Sequence, residues 1–119
     1  MIYRRKSYKV DESIIKDFNR HFNQTLLPTQ LKYGARLVGR WMAQPAEGAV
    51  EIFAIWQYDS REEYENIENK VRNDMEHVQR VQNWFEKMGG RENLGKFFFQ
   101  VNEDFLETTV PEGNTILSF

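Results

Sequence analysis

An α+β fold of element order β-α-β-β-α-β, with an antiparallel sheet carrying helices on one face, is predicted by three observations. Residues 2–10, 35–43 and 49–58 show strand-like alternation, and helical periodicity follows the first and the third of these segments. The second and third strands are separated only by Gln44-Pro45-Ala46-Glu47-Gly48, turn chemistry that makes a hairpin. The strand Ala49 to Tyr58 is apolar on both faces: Ile52, Ala54, Trp56 and Tyr58 line one, and Phe53 and Ile55 lie on the other. Helices on one side account for only one of those faces, so something else must cover the second.

The elements follow in order. Residues 2–10 read as a Tyr-rich strand that ends at Asp11, a helix N-cap with Glu12 in the first turn, where the helix dipole favours it. Ile14, Phe18, His21, Phe22 and Thr25 recur at helical spacing and make one face. Leu26 and Leu27 continue the apolar side up to Pro28, which removes a helical hydrogen bond and predicts a kink or a break and restart; Gly34 is the stop. In the second strand, strict alternation places Leu37, Gly39 and Trp41 on one side and Val38, Arg40 and Met42 on the other. After the third strand, Asp59-Ser60 caps a helix with Glu62 and Glu63 in its first turn and a thin stripe of Tyr64, Ile67 and Val71. Asn73-Asp74 breaks it. A second amphipathic run presents Val78, Val81, Trp84, Phe85 and Met88 and ends at Gly89-Gly90. Leu94 and Phe97-Phe98-Phe99 read as buried, and 101–109 as the last strand. This is the ferredoxin-like, split βαβ order, expected over residues 1–109. Residues 110–119 read as an extended tail docked by Ile116, Leu117 and Phe119.

A chain of 119 residues suits one domain and can bury a core without staples. The absence of cysteine removes disulfides, thiolate nucleophiles and Cys-ligated metal sites. A net charge of −2 is unlike the basic surface of a nucleic-acid binder. The local cluster Arg4, Arg5, Lys6 and Lys9 reads as solvent-facing and edge positions of the first strand. No apolar run follows the N-terminal basic residues as in a signal peptide, and no segment approaches the ~20 apolar residues of a membrane span. A cytoplasmic protein without nucleic-acid or membrane partners is expected. No phosphate-binding glycine loop, Ser/His/Asp pattern or metal spacing is present, so neither cofactor nor metal is expected.

Candidate site residues follow from types and positions. His21 and His77 share helix faces with apolar residues and are the candidates for a general base, although such histidines more often serve as core or rim residues. Tyr8, Phe22, Trp41, Trp56, Tyr58 and Trp84 are the candidate lining of a pocket for a small apolar or aromatic molecule; the competing reading is plain core. Glu62, Glu63, Glu65 and Glu68 read as a helix N-terminus and a solvated face. Phe53 and Ile55 are the candidate interface of a homodimer, the simplest cover for the second sheet face.

Ile2-Tyr3 with Tyr8 and Val10, Leu27-Pro28 through Gly34, Gly39-x-Trp41, and Trp56-x-Tyr58-Asp59-Ser60 with Glu63-Tyr64 resemble NIPSNAP-type proteins, members of the dimeric α/β-barrel superfamily. The resemblance covers about residues 2–109, and the Trp-x-Tyr-Asp-Ser element is its most specific part. Lys6 stands where many members have Arg, which keeps the charge and loses the planar fork. The resemblance implies a fold and a dimer more than an activity. Relatives on the fold include cofactor-independent monooxygenases, which is the enzyme alternative, and haem-degrading enzymes. His77 lies where the latter carry their axial histidine, but Ser7 and Tyr8 stand in place of their first-strand asparagine, and Tyr64 in place of their tryptophan. A third reading is an interaction dimer with a filled core and no ligand.

Overall fold

A computed structural model of the protein describes residues 1–111. Strands β1 (Ile2–Asp11), β2 (Arg36–Met42), β3 (Ala49–Tyr58) and β4 (Phe98–Leu106) form one antiparallel sheet in the order β2-β3-β1-β4. Between them run α1 (Ile15–His21), α2 (Leu27–Lys32), α3 (Arg61–Arg72), α4 (Met75–Lys87) and the short α5 (Arg91–Gly95). This is the ferredoxin-like order, and the sheet is not closed: β2 and β4 are its edges. The expected docking of Ile116, Leu117 and Phe119 falls outside the described residues.

Strand parity decides what meets the helices. Val50, Ile52, Ala54, Trp56 and Tyr58 of β3 are all buried, while Glu51, Phe53, Ile55 and Gln57 alternate onto the open face. Two clusters fill the helix side. One joins Trp56 and Tyr58 to Phe22, Ile67 and Val71; the other joins Val10, Val50 and Ile52 to Ile14, Phe18 and Leu94. Each fully buried aliphatic side chain contributes roughly 1.5–3 kcal/mol of transfer free energy, so these layers carry the stability.

The two expected caps are in place, and Asp74, read only as a break, is a third. Asp11 accepts from Ser13 N–H at 2.9 Å, Ser60 from Glu63 N–H at 3.1 Å and Asp74 from His77 N–H at 3.1 Å. Asp74 also receives Tyr33 Oη at 2.8 Å, tying the α3–α4 junction to the end of α2. The expected restart is there: α2 begins at Leu27, beside Pro28. A wide π turn over Phe22–Leu26, with Leu27 N–H donating to the Phe22 carbonyl, precedes it, and Pro28 sits in the first turn of α2, where its missing N–H costs least.

Four expectations are corrected. A bulge at Val38 shifts the register of β2, so Leu37 faces the helices with Arg40 and Met42, while Gly39 and Trp41 face the open side. The cations of β1 are not at an edge, because β1 lies between β3 and β4. Arg4 is only 9% exposed and, with Lys6, faces the helices. Phe99 is half exposed at an irregularity of β4, which begins at Phe98 and ends at Leu106. Glu68 lies on no solvated face: it turns inward toward Arg4.

Candidate functional site

Three strands present cations and aromatics to the helices at one place. Register sets Arg4 opposite Trp56, Lys6 opposite Ala54 and Tyr8 opposite Ile52, and β2 adds Arg40, also opposite Ala54. Ala54 is the smallest residue of this row, and above it lies an inner cavity of about 100 Å³ bordered by Tyr8, Phe22, Arg40, Trp56, Gln30 and His77. Tyr8, Phe18 and Leu26 also border an outer groove of about 300 Å³, whose far walls are His21, Trp84 and Phe85. The outer groove is apolar; the inner cavity is polar on one side.

An ion network closes the α3 end of this cleft. Arg4 Nε donates to Glu103 Oε1 at 2.8 Å, and its Nη1 lies 3.9 Å from Glu68 and 3.5 Å from Tyr58 Oη. Tyr64 Oη donates to the same Glu103 oxygen at 3.1 Å, and Lys6 Nζ lies 3.8 Å from the other. Burial works to raise the Glu103 carboxyl, but Arg4, Tyr64 and Lys6 outweigh it and hold it below the ordinary carboxylate range. Burial pushes Tyr64 up to about 12, with Arg4 opposing, so its hydroxyl stays a donor. Gln30 Nε2 donates to Glu68 at 3.0 Å, and its carbonyl oxygen is buried without a partner among the described residues.

Arg40 differs from the other cations. Nη1 donates to Asn19 Oδ1 at 2.7 Å, and the guanidinium lies over the rings of Phe22 and Phe18, 4.3 and 5.2 Å from their centroids. It has no carboxylate partner among the described residues, and burial lowers its pKa from the usual arginine value. The buried polar side-chain atoms lacking any hydrogen-bond partner among the described residues are Arg40 Nη2, His77 Nδ1 and Gln30 Oε1. All three residues border the inner cavity.

The aromatic and histidine candidates divide between two faces of the sheet. Tyr8, Phe22, Trp56 and His77 meet at the inner cavity, and Tyr8, His21 and Trp84 at the outer groove. Tyr58 is fully buried behind Arg4, on the same face but in the core. Trp41 lies across the sheet from the cleft. It is 47% exposed, with its ring over Gly39 and 5.5 Å from Phe53, and a side chain at position 39 would collide with the indole. Phe53 and Ile55 are half-buried on that open face as expected. Arg40 and Gln30 were not foreseen; the usable signal for Arg40 was a cation on a strand position facing a small residue.

His21 stacks on Trp84 with centroids 4.1 Å apart and planes 3° from parallel. Burial, with a smaller push from His77, lowers it to about 4. Its folded value lies below the unfolded ~6.5, so the unfolded chain takes up the proton first. Stability from the neutral ring is therefore complete above about pH 6.5 and is lost as pH falls toward 4. After allowance for solvent screening the loss is on the order of 2 kcal/mol. His77, lowered chiefly by burial, acts in the same direction. The urea midpoint should fall between about pH 7 and 5, and His21→Phe, which preserves an aromatic stack, should flatten much of that slope. An unchanged slope in the variant would remove His21 as its source.

Among the described residues no group of three or more ligating side chains is placed to hold a metal ion, and no helix is long and apolar enough to cross a membrane. The sequence matches the family model described as NIPSNAP over residues 3–94. Among solved structures it is similar to an uncharacterised NIPSNAP-like domain protein from Burkholderia xenovorans, at 16% identity and a TM-score of 0.68, covering 96% of this chain and 87% of that one. It is similar to a NIPSNAP family protein of unknown function from Agrobacterium tumefaciens, at 16% identity and a TM-score of 0.66, with 89% and 86% covered. A dimeric ferredoxin-like protein from an uncultured marine organism shares 14% identity at a TM-score of 0.53, with 93% and 97% covered. At these identities the likeness concerns the fold. No curated protein matches the sequence.

Proposed function

The chain belongs to the NIPSNAP family, and on that premise we propose that it forms a homodimer in which each subunit holds a small apolar or aromatic molecule between sheet and helices. The observation that carries the ligand is the pair of adjoining spaces, about 100 and 300 Å³, sharing Tyr8, Phe18 and Leu26 as a common wall. A filled-core interaction protein has no need of them. The dimer is supported by Phe53, Ile55 and Trp41 on the open sheet face, and by the marine ferredoxin-like neighbour, itself a dimer.

The enzyme alternative, a cofactor-independent oxygenation of an aromatic substrate, requires a base with a pKa near the working pH. His21, held at about 4 and stacked on Trp84, is too weak a base for that task. His77, with Nδ1 unpartnered at the inner cavity, is the better placed of the two.

Native mass spectrometry of freshly purified protein tests both parts. The expected species has the mass of two chains plus one small molecule per chain, released on collisional activation. A bare dimer that also takes up no added apolar ligand removes the binding reading. A monomer at micromolar concentration removes the dimer.

A further inference from the structure

We propose that the molecule held in the cleft carries a carboxylate and that Arg40 recognises it; the inference rests on the cleft being a binding site, as proposed above. The charges at the inner cavity do not balance. From the sheet come Arg4, Lys6 and Arg40; among the described residues Glu68 and Glu103 stand against them, while Asp74, beside His77, is paired with Lys32. Both carboxylates are engaged with Arg4, and Glu103 also lies near Lys6, at the end of the cleft closed by α3. Arg40 is left with a neutral amide oxygen and two aromatic faces. Both histidines are kept neutral by burial, so they add no positive charge near pH 7. One half-buried cation is in excess, and a monoanion neutralises it.

The unpartnered atoms point the same way. Arg40 Nη2 is a donor, His77 Nδ1 a donor in one tautomer, and Gln30 Oε1 an acceptor. An unmade hydrogen bond on a buried group is costly, and native proteins leave few of them. Here all three belong to residues that border a single small space, and His77 itself is only 7% exposed. A carboxylate bound there would have Arg40 Nη2 and His77 Nδ1 as its candidate donors. Gln30 Oε1 then needs a donor, which a hydroxyl beside the carboxylate or a bound water supplies. The space of about 100 Å³ suits a head group of this size, and the apolar groove beyond Tyr8 and Phe18 suits the body. Arg40 reaches the cleft only because of the bulge at Val38, which places positions 37 and 40 on the same face.

Mandelate and mandelamide make a suitable pair of probes, since they share an aromatic body and a hydroxyl and differ in charge. Calorimetric titration of the whole protein should show mandelate binding tighter by roughly tenfold or more, as expected for a charge-assisted contact. In Arg40→Met the ratio should fall to about one, and Arg40→Lys should keep part of it. Arg40→Met should also fold at least as stably as the parent in the unliganded state, because it removes a half-buried charge without a counter-ion. Equal affinities for the two probes in the parent protein overturn carboxylate recognition and leave the cleft as a neutral pocket. A charge preference that persists in Arg40→Met overturns the role of Arg40. Failure to bind either probe, up to millimolar concentration, sinks the carboxylate reading and the binding site together.

Discussion

Phe53→Glu should turn the proposed dimer into a folded monomer. Phe53 alternates onto the open face of β3, opposite Ser7 of β1 and Trp41 of β2, and none of the helix-side core rests on it. Its ring lies 5.5 Å from that of Trp41, and Ile55 extends the same apolar strip, while β1 and β4 bring polar groups to this face, among them the two-bonded Arg5–Asp104 pair at 3.1 and 2.7 Å. A two-fold axis through such a face joins each apolar strip to the other copy and leaves the polar strand pairs at the rim. A glutamate at position 53 then enters the interface twice, once from each subunit. A carboxylate buried without a partner costs several kcal/mol, so two of them should weaken association by a factor on the order of a thousand or more. Sedimentation at micromolar concentration should show two chains for the parent and one for the variant. Far-ultraviolet circular dichroism should be the same for both, because the substituted side chain leaves the helix-side layers untouched. A variant that still sediments as two chains would place the interface elsewhere on the molecule.

The difference between what the sequence disclosed and what it hid has physical causes. The alternation of β3 gave Ile52, Ala54, Trp56 and Tyr58 their correct face because the β1–β3 ladder runs without a bulge. The same logic failed for β2 beyond Val38. One extra residue reverses the parity of everything after it, and Gly39 was the only local hint. Trp41 therefore moved from the cleft to the open face. The cations of β1 read as an edge because charge usually means solvent; their true place depends on sheet order, a non-local property. Arg4 tolerates burial through Tyr58, Glu68 and Glu103, the last of which follows it by 99 positions in the sequence. Phe22, Trp56 and His77 were legible from periodicity, since each shares a face with apolar residues of its own element, whereas Tyr8 shares its face of β1 with Arg4 and Lys6. Gln30 and Arg40 were not, because their roles arise where α2 and β2 meet over Ala54.

Trp56→Ala should be the most damaging single change to the fold and should also locate the ligand. The indole is 4% exposed and packs in the cluster with Phe22, Ile67 and Val71, its ring 6.2 Å from that of Phe22. Removing a buried tryptophan costs roughly 3–5 kcal/mol through lost transfer free energy and the void left behind. Trp56 already borders the inner cavity, so part of its surface has no packing to lose, and a loss near 3 kcal/mol is expected. For a domain of this size that lowers the melting temperature by about 10–20 °C at fixed protein concentration, a condition the proposed dimer requires. The ligand side of the test uses Trp41→Phe with Trp84→Phe, which leaves Trp56 as the sole indole of three. Its emission should be that of a buried indole and should shift on titration with mandelate, because the ligand occupies the space beside it. Trp41 lies across the sheet, so restoring it alone should add emission that the ligand does not alter. A loss at the top of the range, together with an emission that no apolar or aromatic ligand moves, would mean that Trp56 is simply core. In that case the protein is a filled-core dimer, and the unpartnered atoms of Arg40, Gln30 and His77 are met by water.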